Sequence, residues 1–81
     1  ILQNHGILTT GPSVDIALWF YMSMERCCQA QLMAESAGKP ISVPHETAIK
    51  TREFIANDIA AWASYQPAFD KIIKMQPDLL D

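Results

Sequence analysis

The N-terminal part of this sequence has almost no charged side chains. Residues 1–24 contain only one, Asp15, and the whole chain of 81 residues carries 6 lysines and arginines against 9 aspartates and glutamates. The net charge is -3. Proteins that bind nucleic acids or anionic membranes usually carry an excess of basic residues, so we expect neither as a partner. The uncharged run at residues 16–24 is far shorter than the ~20 residues that cross a bilayer.

Cysteine is scarce as well. Cys27 and Cys28 are adjacent, which suits neither a disulfide framework nor the usual spacing of zinc ligands. We therefore expect buried thiols in a reducing, cytoplasmic setting. Apolar and aromatic residues make up 49% of the chain and charged residues only 19%, so part of the surface is expected to be covered in the complete protein.

The first part of the chain has the pattern of two short strands and a long helix. Residues 1–10 form two aliphatic and β-branched runs separated by Gly6, which favours strands. Ser13 is expected to cap a helix that continues to about Ala37 and ends at Gly38.

Prolines divide the second half of the chain. Pro44 suits the first turn of a second, amphipathic helix, which Pro67 is expected to break near Tyr65. A short third helix is expected to follow and to end at Pro77, and the last residues form a tail.

The chain has two histidines. His5 stands between the two apolar runs beside Gly6, so its ring is expected to project from a stiff element, as metal ligands often do. A strand histidine that is hydrogen-bonded in the core is the alternative. His45-Glu46 begins like the zinc-protease signature, but Ile49 occupies the position of the second histidine, so His45 is assigned no role.

One motif stands in a distinctive context. Asn4-His5-Gly6 is followed by an apolar run, then by Gly11, and then by a long helix that contains Glu25. In this order of features the chain resembles the class II aldolase/adducin family, including members similar to L-fuculose-phosphate aldolase.

The resemblance implies an α/β fold. Residues 1–81 would be the C-terminal portion of a single α/β/α class II aldolase-like domain, with two short N-terminal strands followed by two or three helices. Residues 1–38 would supply the strands and the long helix, and residues 39–81 the C-terminal helices.

The resemblance also implies a metal site. His5 matches one of three histidines that hold a divalent metal, usually Zn²⁺, which polarises the oxygens of a small sugar phosphate or hydroxy-carbonyl substrate. The other two ligands, a His-x-His pair, and the catalytic acid lie upstream in the family. No catalytic residue is therefore assigned within residues 1–81, and this part alone is expected to be inactive.

Different functions remain open at this point. The complete protein could be an aldolase-like lyase, or a related epimerase or dehydratase, that assembles as a homotetramer. Tyr65 could then reach a neighbouring subunit's site, although plain helix packing is the alternative. A non-catalytic adducin-like module for oligomerisation or protein binding is the second hypothesis, and a truncated product without activity is the third.

Overall fold

All regular secondary structure beyond residue 13 is helical. The structure, a computed structural model, describes residues 1–81. Helix α1 spans Val14–Ala37, α2 spans His45–Ile55, α3 spans Asp58–Met75, and a 3-10 helix spans Pro77–Leu80. None of these helices combines the length and the hydropathy of a membrane span.

The predicted α/β fold with two N-terminal strands is wrong. The only β pairing in the chain is an isolated antiparallel bridge between Leu2 and Gly6, and there is no sheet. Residues 7–12 form no hydrogen bonds between backbone groups. Aliphatic and β-branched residues favour strands, but a strand also needs a neighbour for its N–H and C=O groups, and these 81 residues supply none.

Both predicted ends of α1 are confirmed. Ser13 is the N-cap residue, with extended backbone angles, although its side chain forms no capping hydrogen bond. Asp15 lies in the first turn, where a negative charge is favourable. At the other end, the backbone N–H of Gly38 donates to the carbonyl of Ala34 at 3.1 Å and closes the last turn.

The predicted break at Pro67 is wrong, because Pro67 lies inside α3. The chain changes direction earlier, between α2 and α3, where Asn57 bonds to both helices. Its Oδ1 accepts from the N–H of Ala60 at 2.9 Å, and its Nδ2 donates to the carbonyl of Phe54 at 2.8 Å. Asparagine is among the best N-cap residues, so this position starts a new helix that then tolerates the proline further along.

The core lies where α1 packs against α3. Ile16 of α1 and Ala61 of α3 are the two buried residues of the chain. The accessible surface is 7111 Å², whereas a folded monomer of 9.1 kDa exposes about 4,900 Å². The radius of gyration of 15.6 Å likewise exceeds the roughly 12 Å of a compact domain of this length. The helices therefore leave much apolar surface uncovered.

The cysteines illustrate this exposure. Cys27 is exposed and Cys28 is half-buried, so the prediction of two buried thiols is wrong. Both lie in the second half of α1, and the core residue of this helix, Ile16, lies in its first turn. The apolar character of the cysteines does not indicate that few other residues of this chain pack against the second half of α1.

We expect the 81-residue chain on its own to unfold over a broad temperature range, because two buried side chains give little cooperativity. Circular dichroism at 222 nm would follow the helices, and a hydrophobic dye would report the open apolar surface. A sharp melt of a monomer that binds no dye would contradict this expectation.

We expect Asn57→Ala to weaken the start of α3 by about 1 kcal/mol, because the substitution removes the N-cap acceptor. Amide hydrogen exchange at Ala60 should then become about fivefold faster. Asn57→Asp is the matched control, since it keeps the acceptor, loses the donor to Phe54, and adds a negative charge that a helix N-terminus favours. Equal exchange rates in the alanine variant and the original chain would rule out this capping role.

Candidate metal-ligand turn

Residues 2–6 close a tight turn that contains His5. The N–H of Leu2 donates to the carbonyl of Gly6 at 2.7 Å, and the N–H groups of His5 and Gly6 both donate to the carbonyl of Leu2 at 3.2 Å. Asn4 has a φ angle of 60° and Gly6 a φ angle of 132°. Two residues with positive φ thus flank the histidine and reverse the chain around it.

The ring of His5 has one nitrogen engaged. Its Nδ1 lies 3.2 Å from the carbonyl oxygen of Gln3, and the side chain is exposed. A carbonyl oxygen can only accept, so Nδ1 carries the proton in this hydrogen bond and the lone pair is on Nε2. Metal-binding histidines use the same arrangement, with one nitrogen on a backbone carbonyl and the other on the metal.

A side-chain hydrogen bond attaches the N-terminal segment to α1. The hydroxyl of Thr9 donates to the carbonyl of Ala17 at 2.8 Å, in a partly buried position. Nearby, a Cβ on Gly11 would lie 2.9 Å from the backbone nitrogen of Ala17, so the chain passes the helix at a distance that only glycine allows. These two contacts fix the segment carrying the turn against the first turn of α1.

The residues of this chain supply one position of a metal site. No group of three His, Cys, Asp or Glu side chains converges anywhere in residues 1–81. A catalytic zinc ion needs about three protein ligands. His5 has the chemistry of one such ligand, but a complete site would require donors from outside these residues. His45 is exposed at the start of α2, and nothing in the structure gives it a role.

An apolar groove runs along α1 on the side that faces α2. Its volume is about 480 Å³, and its lining includes Trp19, Phe20, Val43 and Ile55. Ser23 also lines this groove, and its hydroxyl oxygen is buried without a hydrogen-bond partner. A buried polar atom of this kind normally has a partner. Sequence reasoning missed Ser23, since a serine inside an apolar helix gives no signal that its hydroxyl will be left unpaired.

Tyr65 is engaged within its own helix. Its ring stacks on Phe69, with 5.5 Å between the centroids and 26° between the planes, and both side chains are half-buried. This spacing of four residues is the usual one for neighbours on a helix face. Local packing thus accounts for Tyr65 in the structure, and a role in a neighbouring subunit's site stays a prediction.

Residues 1–32 match the family model described as the class II aldolase and adducin N-terminal domain. Three curated proteins are similar over most of the chain. Decarboxylase NovR of Streptomyces niveus is 38% identical over 79 residues, which are 98% of this chain and 29% of that protein.

A protein of Streptomyces roseochromogenus subsp. oscitans, named 4-hydroxy-3-prenylphenylpyruvate oxygenase/4-hydroxy-3-prenylbenzoate synthase, is 35% identical over 98% of this chain and 28% of its own length. The meiotically up-regulated gene 14 protein of Schizosaccharomyces pombe is 40% identical over 85% of this chain and 28% of its own length. The chain thus spans less than a third of these relatives. No solved structure matches it.

We expect Thr9→Val to loosen residues 1–11, because valine has nearly the same shape but cannot donate to Ala17. The local cost should be about 1 kcal/mol, visible as lower backbone ¹⁵N heteronuclear NOE values over the segment. Thr10→Val is the matched control, since Thr10 is exposed and forms no hydrogen bond. The same loss of order in both variants would show that this hydroxyl does not hold the segment.

Proposed function

We propose, on the premise that residues 1–32 match the class II aldolase and adducin family model, that the complete protein is a metal-dependent enzyme that breaks a carbon–carbon bond beside a carbonyl group. In this proposal residues 1–81 are the C-terminal portion of one larger domain, and His5 is one of its metal ligands. The observation that carries the proposal is the state of the His5 ring, which is exposed and has Nδ1 on the Gln3 carbonyl, so that Nε2 is the nitrogen with the lone pair.

The names of the relatives bear on the substrate. One is named a decarboxylase, and another is named for a phenylpyruvate oxygenase and a benzoate synthase. Decarboxylation and aldol cleavage share a requirement, because each leaves an electron pair beside a carbonyl carbon that must be stabilised. We therefore propose a small oxo- or hydroxy-carbonyl compound as the substrate class, and this class includes the sugar phosphates that the family resemblance implies.

His5 contributes a neutral imidazole to this chemistry. Once bound, a divalent metal such as Zn²⁺ supplies a Lewis acid that polarises the substrate oxygens. In this proposal His5 supplies one ligand nitrogen, Nε2, in a fixed orientation. The remaining ligands and the acid that handles protons come from residues outside 1–81 in this proposal, so no catalytic residue is assigned within the chain.

The uncovered surface supports a larger domain. About 2,200 Å² more surface is accessible than on a compact monomer of this size, and one partner in a standard protein interface buries only about 800 Å². In this proposal the rest of the domain packs on the sides of α1 that α3 leaves exposed. We also propose a homo-oligomer for the complete protein, as the resemblance implies.

A non-catalytic adducin-like module is the second candidate, since the same family model covers aldolases and adducins. In this case the groove along α1, with its aromatic lining from Trp19 and Phe20, would be a surface for another protein. His5 would then hold no metal. The two candidates differ in one measurable property. The enzyme binds a metal through His5, and the adducin-like module does not.

We expect His5→Ala in the complete protein to lower metal affinity by more than about 100-fold, since losing even an outer-shell partner of a ligand costs about 10–100-fold. Cleavage of oxo- or hydroxy-carbonyl compounds should fall in parallel, and the oligomer should stay intact. Metal content after dialysis, measured by mass spectrometry, would check this expectation.

His45→Ala is the matched control, because His45 is the other histidine of the chain and is also exposed. It should leave metal content and activity unchanged. Equal metal content in His5→Ala and His45→Ala would eliminate His5 as a ligand and favour the adducin-like module.

A further inference from the structure

We infer that Asn4 and Gly6 are positioning residues for His5, and that the turn they form, together with the backbone carbonyl of Gln3, fixes the tautomer of its ring before any metal binds. In this tautomer the proton is on Nδ1 and Nε2 is presented outward. The inference rests on the proposed role of His5 as a metal ligand. It identifies the atoms of this chain that orient the histidine for that role.

The backbone of the turn depends on two unusual conformations. The φ angle of 60° at Asn4 is the only positive value at a residue other than glycine in the chain. Asparagine tolerates this left-handed region better than most residues, and β-branched residues are strongly disfavoured there. Asn4 is thus the residue at which the chain can reverse immediately before His5.

Gly6 has a conformational role and not a steric one. A Cβ at this position would meet nothing within 4 Å, so there is room for a side chain. The φ angle of 132° is the obstacle, since it lies in a region that other residues rarely adopt. With Gly6 in this conformation, its N–H and C=O both reach Leu2 and close the turn.

The closed turn holds His5 at two points. Its backbone N–H donates to the Leu2 carbonyl at 3.2 Å, and its Nδ1 donates to the Gln3 carbonyl at 3.2 Å. The acceptor on Gln3 is a backbone atom, so the position of the backbone matters and the glutamine side chain does not. Because the ring is exposed, this hydrogen bond is the one polar contact that selects between its two nitrogens.

Nitrogen NMR of the complete protein without metal would test this inference. In alkaline buffer the neutral ring is observed, and long-range ¹H–¹⁵N couplings report which nitrogen carries the proton. Signals of His5 and His45 can be assigned from His5→Gln and His45→Gln. His45 is the internal reference, because no hydrogen bond to its ring is present.

We expect the ratio of the Nδ1–H tautomer to the Nε2–H tautomer to be about fivefold higher at His5 than at His45, because one net hydrogen bond of about 1 kcal/mol changes an equilibrium constant about fivefold. Asn4→Val should bring His5 to the pattern of His45, because valine opposes the positive φ angle. Asn4→Gly should preserve the original pattern, since glycine accepts that angle, and Gln3→Ala should preserve it because the carbonyl remains. Circular dichroism would verify that each variant keeps its helices.

Two results would overturn the inference: the same tautomer ratio at His5 and His45 in the original protein, or an unchanged His5 pattern in Asn4→Val. Neither depends on metal, so failure of the proposed function is recognised separately. That failure would appear as unchanged zinc affinity in His5→Ala, measured by titration with zinc alone.

Discussion

Packing of α1 against α3 is the contact on which the rest of this structure depends. Each helix contributes one of the two buried residues, Ile16 and Ala61. The other parts of the chain are attached to these two helices. Thr9 bonds the N-terminal segment to α1, the 3-10 helix packs on α3, and Asn57 joins α2 to the start of α3. The position of His5 relative to the helices therefore depends on a small contact area.

The length of α1 explains why this area is insufficient. A helix of 24 residues extends for about 36 Å, and its first half is apolar on more than one side. One partner helix covers one face, and the groove of about 480 Å³ beside Phe20 has no lining residue from α3. Burial of apolar surface is the main favourable contribution to folding, and most of the large apolar side chains of this chain stay exposed.

The sequence predicted those features that local chemistry determines. The bounds of α1 follow from Ser13 and Gly38, whereas the role of His5 stays a prediction. Strands could not be predicted in the same way, because pairing requires a second strand that the local residues do not reveal. The sequence pattern predicts a helix break at Pro67, whereas the structure has it at Asn57, which caps α3. The hydrogen bond on Nδ1 was also hidden, since its acceptor is a backbone carbonyl that every residue type carries.

The turn at residues 2–6 has a consequence for the order of folding. Each of its hydrogen bonds joins residues no more than four positions apart, so the turn needs no long loop to close. Loops of about ten residues close in roughly 10–100 ns, much faster than contacts between distant parts of a domain. The histidine can therefore adopt its geometry early, as a local event, and remote segments would then assemble around a group whose direction is already set.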